Sequence, residues 1–80
     1  MVYDYSKLRG LIREKLGSEK VLAEKIKRDR STLSQKMNNR VDFTSEEIFK
    51  ISHILGISDN QIGLYFFTQK VEKQQLQKEV

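Results

Sequence analysis

The 80-residue chain contains no cysteine, no proline and no tryptophan, and its one histidine is His53. Without cysteine there is no disulfide framework and no thiolate metal site, and a lone histidine has no second ligand at metal spacing. No apolar run approaches the length of a membrane span, and no signal peptide is recognisable. We therefore expect a cytoplasmic protein that needs no metal or other cofactor.

The motifs of common enzyme classes are also missing. The chain has no glycine-rich phosphate loop and no grouping of carboxylates with histidine. A chain of 80 residues has little room for a closed pocket in addition to a core. We expect no catalytic site and no small-molecule substrate.

The composition and the charge distribution favour a small helical domain that binds nucleic acid. With 38% hydrophobic residues, four glycines and helix-period patterning, the chain can build one all-α core. The first 40 residues hold 11 Lys and Arg against 5 Asp and Glu, whereas the last 40 hold 4 against 6. Such a basic half is typical of nucleic-acid binding, although charge alone fits a mildly basic soluble helical protein equally well.

The apolar periodicity and the capping residues predict five helices. Thr44 with Glu47, and Ser58 with Gln61, have the spacing of capping boxes. The fifth helix follows Ser58, and the polar segment 68–80 would extend it, fray or pair with a partner. The other predicted helices are 5–16, 19–26, 30–38 and 45–55.

Residues 18–38 form the segment around which the chain is organised. Ser18 and Asp29 are good N-caps for two short helices joined by a tight turn. Ala23 is small enough to let the two helices cross closely, and Leu33 and Met37 form the buried stripe of the second helix. The side chains off that stripe can all hydrogen-bond to base edges: Arg30, Ser31, Ser34 and Gln35.

These side chains suit the major groove of DNA. Arginine can donate a fork to guanine O6 and N7, glutamine can pair with adenine N6 and N7, and serine can bond several base edges. A helix of this length fits a groove about 12 Å wide. We therefore predict that the second helix reads bases.

The sequence LAEKI, three further residues and then RSTLSQKMNN resembles the helix-turn-helix of lambda-type phage repressors and Cro proteins (XRE-type regulators). Residues 3–68 resemble small Cro/repressor-like regulators of phages and prophages as a whole. Ala23 and Leu33 match the small and apolar positions of that motif. Lys27 and Arg28 depart from it, because the family usually has glycine and then an apolar residue there.

The resemblance implies a lambda-repressor-like bundle of five helices in residues 1–67, with the helix-turn-helix at about 18–38. It also implies that the four polar residues of the second helix read bases, and that Glu19 and the segment after that helix touch the DNA backbone. With the neighbouring basic and polar side chains, the predicted phosphate contacts are Glu19, Lys20, Lys27, Arg28, Thr32, Lys36, Asn38, Asn39 and Arg40.

A single reading helix discriminates too weakly to select one site in a genome. We therefore expect a homodimer on a near-palindromic operator, with Leu64, Tyr65 and Phe67 as candidate interface residues. The resemblance implies a Cro-like bacteriophage repressor that regulates transcription by promoter occlusion. The alternative is a protein-binding module on the same fold, such as an anti-repressor or an antitoxin.

Overall fold

The computed structural model describes residues 2–70 and contains five α-helices. Helices α1 to α4 begin and end within one residue of the predicted bounds, and α5 is a single short helix after a 3-10 turn at Asp59–Gln61. The prediction of an all-α, five-helix bundle is therefore confirmed. The helices are α1 Ser6–Leu16, α2 Glu19–Lys25, α3 Arg30–Met37, α4 Ser45–Leu55 and α5 Ile62–Phe66.

Each helix contributes one apolar face to a single core. Burying each large apolar side chain contributes about 1.5–3 kcal/mol, so this core supplies most of the driving force for folding. In α3 the apolar contribution is limited to Leu33 and Met37. The buried apolar residues of the five helices are Leu8, Ile12, Leu22, Ala23, Leu33, Met37, Ile48, Ile51, Leu55 and Phe66.

The turn between α2 and α3 has left-handed backbone geometry at Lys27, with φ of 59°. The Lys27 N–H donates to the carbonyl of Glu24, and the Arg28 N–H donates to the carbonyl of Ala23 over 2.9 Å. This pair of bonds is a Schellman motif, which satisfies the last carbonyls of α2. The glycine-type geometry is thus present although the residue is lysine, at a cost of about 1 kcal/mol.

The two ends of the described chain pair with each other. The Asp4 N–H donates to the Thr68 carbonyl over 2.7 Å, and the Lys70 N–H donates to the Val2 carbonyl over 3.0 Å. Residues 2–4 are thereby held against residues 68–70. Residues 71–80, most of the predicted tail, lie outside the described residues.

Two predicted caps differ from the structure. The Asp29 side chain accepts no capping hydrogen bond, so any stabilisation of α3 by this carboxylate comes from its charge near the helix dipole. The Ser58 hydroxyl donates to the side chains of Asn60 and Gln61 at 2.6 and 3.1 Å instead of accepting a backbone N–H. Because this segment starts as a 3-10 turn, the second capping box does not form, whereas the box of Thr44 and Glu47 does.

The strained turn predicts whether a substitution of Lys27 raises or lowers the free energy of unfolding. Lys27→Gly should raise the free energy of unfolding by about 1 kcal/mol, because glycine adopts a positive φ without a steric penalty. Lys25→Gly, which removes the same charge from within α2, should lower it by up to about 1 kcal/mol. Urea denaturation of both variants measures this, and a destabilised Lys27→Gly protein would contradict the turn geometry.

Candidate nucleic-acid interface

The outward side of α3 is polar and exposed. Arg30, Ser31 and Gln35 are exposed, whereas Leu33 and Met37 on the opposite side are almost completely buried. Ser34 is half-buried, and its carbonyl and hydroxyl accept hydrogen bonds from the Asn38 side chain at 2.9 and 3.3 Å. The structure thus brings the four predicted base-reading residues together on one short helix.

Several residues predicted to contact phosphates have exposed side chains and lie near α3. Thr32 and Glu19 are half-buried at its margin. Asn39 has φ of 64°, and the following Arg40 N–H donates to the Gln35 carbonyl over 2.9 Å, so a second Schellman motif ends α3. The exposed members of the set are Lys20, Lys27, Arg28, Asn38 and Arg40.

Lys36 is a correction to the predicted phosphate contacts. Its side chain is 9% exposed, and its ammonium group forms a salt bridge with the buried carboxylate of Glu47. An ammonium group held in this way cannot reach a DNA backbone outside the protein. Lys36 is three residues after Leu33, and this spacing places it on the inner side of α3.

The side chains of Asn39 and Glu19 are also engaged within the protein. The Asn39 carboxamide accepts from the Tyr3 N–H at 2.8 Å and donates to the Tyr3 carbonyl at 2.9 Å. Glu19 accepts from Arg9 at 3.3 Å. The Asn39 carboxamide is therefore occupied by Tyr3, and the Glu19 carboxylate, which can only accept hydrogen bonds, pairs with Arg9 and offers no donor to a phosphate.

Glu47 connects α4 to the turn before α3 and to the last turn of α3. Its Oε2 accepts from the Arg28 Nε at 2.9 Å, and its Oε1 accepts from Lys36 and from the Thr44 N–H. Burial alone would raise the pKa of Glu47, but the hydrogen bonds from Lys36, Thr44 and Arg28 outweigh it and lower the pKa from 4.5 to about 2. The carboxylate thus stays ionised and keeps α3 attached to α4.

Arg9 is a structural contact that the sequence did not reveal. Its guanidinium pairs with Glu19 of α2 and donates to the Met37 carbonyl and the Asn38 side chain at 3.1 and 3.2 Å. It thereby joins α1 to the start of α2 and the end of α3. No local pattern distinguishes Arg9 from the other basic residues of α1, because its partners lie in α2 and at the end of α3.

The candidate dimer residues lie on and after α5. Leu64 and Phe67 are 45% and 48% exposed, and Tyr65 is half-buried against the core. The Phe67 ring also packs edge-on against the Tyr3 ring, with centroids 5.7 Å apart. Two of the three side chains thus present apolar surface to the exterior.

Two further findings concern only residues 2–70. No helix in this range is long and apolar enough to cross a membrane. The same range contains no group of three or more histidine, cysteine, aspartate or glutamate residues that could hold a metal ion.

The lowered pKa of Glu47 predicts a pH-dependent stability. Its contribution is fully present above the unfolded pKa of 4.5 and is lost as the pH falls towards about 2. Glu47→Gln should lower the free energy of unfolding at neutral pH by about 3 kcal/mol, because it leaves Lys36 buried without its partner. It should also flatten the loss of stability between these pH values.

Glu46→Gln is the matched control for this experiment. The Glu46 side chain is 71% exposed and contacts Lys50 only at 3.8 Å, so its removal should change stability little. Chemical denaturation of the three proteins across the pH range is the measurement. Equal stability of Glu47→Gln and Glu46→Gln at neutral pH would contradict the proposed role of the buried pair.

Comparisons with known proteins place the chain in a family. The chain is similar to the solution structure of the modulator of repression (MOR) of the temperate bacteriophage TP901-1 from Lactococcus lactis. It is 39% identical, and the alignment covers 90% of this chain and 97% of that chain with a TM-score of 0.75. No curated protein matches. A family model matches residues 1–69, and the chain therefore belongs to the family described as "Protein of unknown function (DUF739)".

Proposed function

We propose that this chain is a bacteriophage regulator that binds double-stranded DNA through the outward side of α3. The observation that carries this proposal is the exposure of Arg30, Ser31 and Gln35 on a helix whose other side is fixed to the core. The similarity to a phage modulator of repression supports a role in phage gene regulation. In this reading α2, the turn and α3 form a Cro-like helix-turn-helix.

The dimensions and chemistry of α3 suit the major groove. Its eight residues extend about 12 Å at 1.5 Å per residue, which is comparable to the width of the groove. Arg30 and Gln35 are separated by more than one helical turn, so they would contact different base pairs. A bidentate contact from each would contribute about 1–3 kcal/mol of discrimination.

The surrounding charge would hold the helix on the duplex. Lys20, Lys27 and Arg40 are exposed near the ends of α2 and α3, where DNA backbones flank an inserted helix. Arg28 uses its Nε on Glu47 but keeps 44% of its side chain exposed. Such contacts fix orientation and give salt-dependent affinity, whereas the contacts of α3 give sequence preference.

Selection of one operator would require two reading helices. We infer a homodimer on a near-palindrome with half-sites one helical turn apart, about 34 Å. The exposed apolar side chains of Leu64 and Phe67 are the candidate contacts between subunits. Bound at a promoter, such a dimer would block polymerase and act as a repressor.

A second candidate function is binding to a repressor protein. The printed name of the similar phage protein says that it modulates repression, and modulation can be exerted on a protein as well as on DNA. Phe49 is 62% exposed on α4 and lines an open groove with Ile26 and Ile54, bordered by Lys25 and Lys50. Exposed apolar surface of this kind is typical of protein contacts.

The experiment that separates the two functions is selection of bound duplexes from a random pool. DNA binding through α3 predicts enrichment of a near-palindrome with half-site spacing of one turn. A pool that stays random at low and moderate salt, together with a shift in size when a phage repressor is added, would favour the second function and refute the first.

Two variants should behave differently on the selected duplex. Gln35→Ala should weaken the selected site by about 1–3 kcal/mol and relax the preference at one base pair, because it removes a base contact. Arg40→Ala should lower the affinity for all sequences evenly, because it removes a phosphate contact. The slope of log affinity against log salt should become shallower by about 0.9, the contribution of one contact. Affinity measurements on the selected duplex and its point variants at several salt concentrations test this, and an unchanged base preference in Gln35→Ala would remove it from the reading set.

A further inference from the structure

A polar cleft lies between α1 and the beginning of α2, beside the first residue of α3. It has a volume of about 330 Å3 and opens to solvent. The buried side chain of Ile12 lines it, and Gly17 and Ser18 form the turn at one end. Its charged residues are Arg9, Arg13, Glu19 and Arg30.

The charges of this cleft are unbalanced. The negative charge of Glu19 is offset by Arg9 at 3.3 Å, so Glu19 repels an anion in the cleft less strongly. Arg13 and Arg30 are exposed, and neither forms an ion pair or a side-chain hydrogen bond with any residue in the range 2–70. Two unpartnered guanidinium groups therefore border a cavity with no free carboxylate.

We propose that this cleft binds a phosphate group, with Arg13 as its principal ligand. The planar fork of the Arg13 guanidinium matches two oxygens of a phosphate, and the positive charge of Arg30 at the same cleft adds to the attraction. Arg13 is absent from the predicted contacts because it belongs to α1, outside the helix-turn-helix segment. With this cleft, the surface that would contact a polyanion includes α1.

Combined with the proposed function, on which this step rests, the phosphate is a phosphodiester of the DNA backbone. Arg30 borders the cleft and also begins α3. A strand whose bases meet the first turn of α3 would therefore pass its backbone over the cleft. The Arg13 contact would set how deeply α3 enters the groove while carrying no sequence information.

The test compares Arg13→Ala with Lys15→Ala, which removes the same charge from the same helix. Lys15 does not line the cleft. Its Nζ lies beside Gly56 at the end of α4. Affinity for a mixed-sequence duplex is measured across a fourfold range of salt. Loss of one phosphate contact should reduce the salt slope by about 0.9, so the advantage of the wild type over Arg13→Ala should shrink about threefold across that range. Lys15→Ala should keep the wild-type slope.

A second arm uses inorganic phosphate alone, followed by NMR of the arginine Nε–H groups. Shifts of the Arg13 and Arg30 signals support a general phosphate site, and a change in salt slope without such shifts supports a site for the DNA backbone. The cleft proposal is overturned if Arg13→Ala matches Lys15→Ala on DNA and phosphate moves neither arginine signal. If the wild type binds no duplex but phosphate moves both signals, the cleft stands and the DNA-binding proposal fails.

Discussion

The buried carboxylate of Glu47 is the interaction on which the position of α3 depends. α3 buries only two apolar side chains, Leu33 and Met37, so apolar packing alone fixes it weakly. Glu47 adds directional bonds, to Lys36 in α3 and to Arg28 in the turn before it. A buried ion pair contributes little net stability after desolvation, but it defines which side of the helix faces inward. The polar residues on the other side are exposed as a consequence.

Backbone geometry fixes the turn before α3 and the end of α3. Lys27 and Asn39 both have positive φ, and each is followed by the backbone bond that closes a Schellman motif. Asn39 further binds both backbone groups of Tyr3, so the end of α3 is tied to the paired chain ends. Arg9 adds a link from α1 to the same place. The backbone of the candidate interface is therefore fixed at several points, and it would lose little conformational freedom on binding.

The sequence predicted the features that local rules control. Apolar periodicity gave the helices, and the spacing of Thr44 and Glu47 gave a capping box that forms as expected. The contacts that it did not predict join residues far apart along the chain. Lys36 was assigned to the exterior because lysine is usually exposed, and its partner Glu47 lies 11 positions away. The pairing of residues 2–4 with 68–70 leaves no local signature either, and Ser58 lost its capping role to the nearby Asn60 side chain.

The most direct test of the central claim is a titration of the protein with a mixed-sequence DNA duplex, followed through the backbone amide signals in NMR. Binding through the outward side of α3 predicts that shifts concentrate in residues 30–35 and their basic neighbours, and that Glu47→Gln, compared with Glu46→Gln, spreads or weakens these shifts. Shifts confined to the surface around Phe49, or an absence of shifts at low salt, would contradict DNA binding through α3.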